Sequence, residues 1–217
     1  MLAHFQTLLT ELYGIDQPLN VLDFLVTDPL VVAALEEPGT RETPEKLLIR
    51  EENAELALTL YLDKTLLERL KLKDPREHLS RRNFSDFCAM LEGISHFNYV
   101  VWNASADKSV TLHELELQAE VDKYVTALAL LSGQPESGLA ESLYKDLFDE
   151  PVFASDLDAE ALARYQSASA FAASFCHSLS KRFPDGFSRP GMLGELRSFY
   201  RLPQPEKVSH IQSALFA

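Results

Sequence analysis

The spacing of apolar residues along the chain changes period twice, and those changes divide it into helices and one hairpin. Phe5, Leu8, Leu9 and Leu12 share a single helical stripe over residues 2–13, with Gly14 as the stop. Asp28 followed by Pro29 supplies an N-cap and a proline at the first helical position, so a buried helix is expected over 29–36, closed by Pro38 and Gly39. Over 47–62 the period falls to two. Leu56, Leu58, Leu60 and Leu62 alternate with Ala57, Thr59 and Tyr61, which is strand spacing, and "LLIRE" before them is the expected partner with Glu52-Asn53 at the reversal. Two strands are marginal alone, so this hairpin must lie against helices.

Helical spacing returns in "KTLLERLKL" and is broken by Asp74-Pro75. A long helix is expected over 83–103, capped by Asn83 or Ser85. After the turn "ASADKS", Thr111 and Glu114 match a capping box opening a second helix over 112–132. A short helix over 139–148 and an acidic connector follow, with Asp156 as the expected cap of a long helix beginning at residue 159. That helix presents Leu162, Tyr165, Ala168, Ala172, Phe175, Cys176, Leu179 and Phe183 on one face, and two further helices flank the "LPQP" break. The predicted class is α+β, predominantly α-helical. It is a single domain over 1–217 with a central antiparallel helical hairpin, a small β-hairpin packed on helices, and a helical C-terminal part over 159–217.

Composition adds three constraints. A chain of 217 residues, 46% hydrophobic, can bury a core without metals or crosslinks. The net charge of −13 opposes phosphate backbones, so generic nucleic-acid binding is not expected, and no apolar run is long enough for a membrane span. The amino terminus lacks the basic region and cleavage site of a signal peptide, and Cys88 and Cys176 form no ligand pair, which together point to the cytoplasm. In the C-terminal segment, Phe187, Phe199, Tyr200 and Phe216 stand among arginines, a composition that suits a protein partner or self-association.

Candidate chemistry is concentrated in "EGISHFNYVVWN". Ser85, Glu92, His96, Tyr99 and Asn103 fall on one stripe of the first long helix, while His113, Glu116 and Glu120 share a face of the second. Folding the two antiparallel brings His96 level with Glu116 and Glu120. Carboxylates and imidazole from paired helices suit iron, manganese or zinc, so Glu92, His96, Glu116 and Glu120 form a candidate metal site. The i, i+4 spacing of Glu92 and His96 departs from the Glu-x-x-His of di-iron bundles. The competing expectation is that His96 is satisfied by Glu92 or a carbonyl, with Glu116 and Glu120 pairing with Lys123 or standing in water.

Arg81 and Arg82, just before a helix start, form a candidate anion site. His113 should resist protonation near a helix N-terminus. No nucleophile elbow or phosphate-binding loop is present, and Cys176, His177 and Ser178 diverge on a helix. The leading expectation is therefore a non-enzymatic cytoplasmic interaction or regulatory protein. The alternative is a helical metal-binding or small-molecule-binding enzyme with a Glu/His site between the two central helices.

Overall fold

The computed structural model describes residues 1–37, 39–52, 55–134, 136–149, 151–188 and 190–215. Among the described residues there are eight α-helices and a small sheet: α1 (Leu2–Tyr13), α2 (Pro29–Leu35), α3 (Lys64–Leu72), α4 (Phe84–Ala104), α5 (Leu112–Ser132), α6 (Ala159–Arg182), α7 (Pro190–Arg201) and α8 (Gln204–Leu215). The strands are β1 (Leu25–Val26), β2 (Glu45–Glu52) and β3 (Glu55–Leu62), in the order β1-β3-β2. The fold is thus α+β with helices dominant. No helix among the described residues is long and apolar enough to cross a membrane.

Local signals account for most helix ends. Gly14 closes α1 in the left-handed region, at φ 56°, and Asp28 caps α2 through Leu30 N with Pro29 behind it. Thr111 and Glu114 form the reciprocal capping box of α5, and Asp63 caps α3 through Leu66 N at 3.0 Å. Two capping expectations need correction. Asp158 rather than Asp156 caps α6, accepting from Ala161 N at 2.7 Å, while Asp156 is paired with Arg41. Asn83 occupies the N-cap of α4, but its side chain turns back to Ser80 N, Lys73 O and His78 O and so fixes the preceding link. The short helix expected over 139–148 is shorter and later than expected: residues 139–142 are turns, and helical geometry begins at residue 143 and continues as the π-helical turn Lys145–Asp149.

α4 is the central element. Phe87, Met90, Leu91, Ile94 and Phe97 are fully buried, and α1, α3, α5 and both longer strands pack on it. Its pairing with α5 is antiparallel, since Glu92 meets Lys123, Ser95 meets Asp122 and Tyr99 meets Glu114. The hairpin lies across α4 near Gly93, where an added Cβ would stand 2.7 Å from Leu60 Cδ1 and 2.9 Å from Glu45 Cγ. Glycine is needed there because strand side chains touch the helix backbone. β2 starts two residues before the expected 47, and β1, a two-residue strand parallel to β3, was not foreseen. The expected reversal at Glu52-Asn53 falls partly outside the described residues.

The C-terminal segment is part of the core. Phe199 stacks on Phe175 with centroids 3.8 Å apart, and Tyr200 stacks on Tyr13 at 4.1 Å, so neither presents a surface to a partner as the sequence suggested. Phe187 is half-buried and Phe216 lies outside the described residues. The basic character of this segment has a local use: Arg197 and Arg201 donate to Leu12 O, Tyr13 O and Gly14 O at 2.9–3.1 Å, satisfying carbonyls at the C-terminus of α1. Lys207 of α8 is fully buried, donating to Gln118 Oε1 at 2.6 Å and standing 4.5 Å from the Tyr99 ring centroid. Burial lowers its pKa to about 7, with Asp122 opposing.

Candidate metal centre

Register places the first ligand. Glu45 pairs with Leu62 and Leu47 with Leu60, and directly opposed residues share a face. Leu60 and Leu62 are buried, so the Glu45 carboxylate is carried to that same inner face, over α4. There it meets Glu92 and His96, one turn apart on α4. A carboxylate oxygen from each glutamate and one ring nitrogen of His96 lie within 4.8 Å of one another. His96 Nδ1 is 3.9 Å from Glu45 Oε1, and His96 Nε2 is 3.7 Å from Glu116 Oε2 on α5.

The expected local satisfaction of His96 is met only in part: a hydrogen bond with the Leu115 backbone favours its charged form, while its Nε2 and Glu45 Oε1 are buried and have no hydrogen-bond partner. Buried polar atoms are nearly always paired, so two orphans on neighbouring side chains, Glu45 Oε1 beside His96 Nδ1 and His96 Nε2 beside Glu116, need an explanation. Glu120 takes a different part. It and Glu92 hold the Lys123 ammonium, at 2.8 and 2.6 Å, all three side chains being at most 23% exposed. Glu120 is thus oriented by the lysine, Glu116 faces the histidine, and Glu92 serves both groups.

Electrostatics follow from this division. Burial, then repulsion by Glu92 and Glu116, raises the Glu45 pKa well above the ordinary carboxylate value, with Lys123 opposing. Burial and Glu92 raise Glu116 to about 8, against Lys123 and Arg164. Burial acts upward most strongly on Glu92 too, but Lys123 and His96 together outweigh it and lower its pKa. Burial would lower Lys123, and its two glutamates more than reverse that. Burial lowers His96 despite Glu92, leaving a neutral imidazole, the form that ligates metals. At neutral pH Glu116 therefore retains its proton, and Glu45 is shifted the same way, beside one ionised glutamate and a neutral histidine.

These groups line a cleft of about 970 Å³ between β2, α4, α5, α6 and the segment after Asp146. Sites for small molecules commonly span ~300–1,000 Å³. Arg81 reaches this cleft but is bonded to Asp146 at 3.3 Å and Ser142 at 3.0 Å, whereas Arg82 borders a separate pocket of about 220 Å³. The proposed pair of guanidiniums does not converge, because neighbouring residues in the link diverge. His113 is bonded to Ser167 and Gln204, both at 3.1 Å, and burial lowers its pKa, which replaces the helix-terminus argument.

Comparison with protein families, curated proteins and solved structures returns no match. Geometry alone carries the functional reading.

Proposed function

We propose that this protein binds a divalent transition metal at Glu45, Glu92 and His96, with Glu116 as a fourth donor, and presents it to a small molecule in the adjoining cleft. The observation that carries this reading is that two of the three residues whose ligand atoms cluster, Glu45 and His96, each keep a buried, unpartnered atom, Oε1 and Nε2. Two carboxylates and an imidazole are a mixed oxygen and nitrogen set suited to iron(II), manganese(II) or zinc(II). Three or four donors on one side of an open cleft leave coordination positions for water or substrate, as catalytic rather than structural sites do. Binding would displace the proton held by Glu116. The unpaired Cys88 and Cys176 support a cytoplasmic setting.

Elemental analysis after equilibrium dialysis against each of the three ions tests this. Wild type should retain about one ion per chain, and His96→Ala and Glu45→Gln should lose it while remaining folded by circular dichroism. Glu120→Gln should retain it, because Glu120 is turned to Lys123. Wild type with no retained ion for any of the three metals ends the proposal.

A second reading, an interaction protein, is favoured by Leu30, Val31 and Leu35, which leave α2 with exposed apolar residues, Leu30 at 78%. Sedimentation of wild type beside Leu30→Ser tests it through self-association. A monomer at all concentrations for both would remove that reading.

A further inference from the structure

We infer that the cleft takes a small molecule bearing an oxyanion, a carboxylate or a phosphate, whose anionic group is held by the Arg164 guanidinium on α6 while its body extends toward Glu45, Glu92 and His96. Only the far end of the ligand rests on the metal-site reading above.

Five cationic side chains line the cleft among the described residues, and four are already engaged. Arg41 pairs with Asp156 at 2.8 Å, Lys46 with Glu36 at 2.8 Å, Arg81 with Asp146 at 3.3 Å, and Lys123 with Glu92 and Glu120. Among the described residues, no ion pair ties down Arg164. Its Nε is buried without a hydrogen-bond partner, and its guanidinium carbon lies 5.5 Å from the ring centroid of Tyr165, which lines the same wall. A guanidinium with a sheltered, unused N–H is the fork that carboxylates and phosphates engage in two-pronged fashion.

The surroundings suit the rest of such a ligand. Tyr165 stays a phenol, since burial with Glu116 and Glu92 raises it to about 12, so its hydroxyl remains a donor at the same wall. Leu47, Phe84 and Leu115 supply apolar contact for the ligand's body. The cluster of acids opposite repels an anion less than its count suggests, because the Lys123 ammonium is paired with both Glu92 and Glu120.

Titration calorimetry on the full chain tests this with benzoate, inorganic phosphate and, as the uncharged counterpart, benzamide. Wild type should bind benzoate or phosphate, the stronger of the two naming the oxyanion, and benzamide at least tenfold more weakly. Arg164→Gln should weaken that binding tenfold or more. Arg41→Gln, at a paired cation of the same cleft, should change it less than threefold. Neither anion binding at millimolar concentration, or Arg164→Gln binding as wild type does, overturns the inference. Metal uptake is measured on the same samples. Uptake without anion binding removes this inference and leaves the metal reading, whereas Arg164-dependent anion binding without uptake keeps this inference and removes the metal reading.

Discussion

His96 Nε2 stands 3.7 Å from Glu116 Oε2 across the α4–α5 interface, close enough to share a ligand and too far to share a hydrogen bond. An unpartnered imidazole nitrogen costs stability in the folded state, and an apolar side chain there would not. His96→Leu is therefore expected to abolish metal uptake while leaving metal-free stability equal to wild type or up to ~1 kcal/mol higher. Urea unfolding without metal measures this. A loss beyond ~1 kcal/mol would mean that His96 serves the core after all.

Glu116 predicts the sign of a pH effect. Its carboxyl titrates near 8 in the fold against an ordinary 4.5, so the proton is held more tightly when folded. The contribution is fully present below the unfolded value and is lost as pH rises through about 8. Glu45 acts in the same direction, while His96 and Lys207, both lowered by burial, act oppositely. The readout is thus the difference between wild type and Glu116→Gln, which should favour the variant progressively from about pH 5 to 8. A difference independent of pH would contradict a proton on Glu116.

Lys123 is the cation that Glu92 and Glu120 have in common. Removing one partner of a largely buried ion pair leaves uncompensated charge, which costs about 3 kcal/mol where solvent still reaches the carboxylates. Lys123→Met should be destabilised by that amount, and added manganese(II) should recover part of it by supplying positive charge beside Glu92. Thermal unfolding with and without the ion gives the answer. An unchanged midpoint in Lys123→Met would show that the cluster contributes nothing to stability.

Gly93 couples the sheet to the site. An alanine methyl there would press on Leu60 Cδ1 and Glu45 Cγ, at 2.7 and 2.9 Å, and overpacking of this kind typically costs ~1–3 kcal/mol. Because Glu45 must shift, Gly93→Ala should also weaken metal uptake. Metal affinity within twofold of wild type would mean that the position of Glu45 is not critical.

Legibility in the sequence followed the range of the interaction. Capping by Asp28 and Thr111, the stop at Gly14 and the leucine alternation of β3 are decided within a few residues, and the chain spelled them out. The stripe on α4 and the acids of α5 were also visible, and the short link between the helices made their meeting at His96 and Glu116 foreseeable. What the periodicity left open was which partner each face meets. Glu45 belongs to the cluster only because β2 begins at residue 45 and pairs Glu45 with Leu62, a register settled by packing on α4. Its alternation with Leu47 and Ile49 was the available signal, missed by starting the strand at 47. Likewise, aromatic residues among arginines read equally as a surface or a core. Stacking of Phe199 on Phe175 and Tyr200 on Tyr13 decided for the core, since contacts between distant segments depend on how the helices assemble.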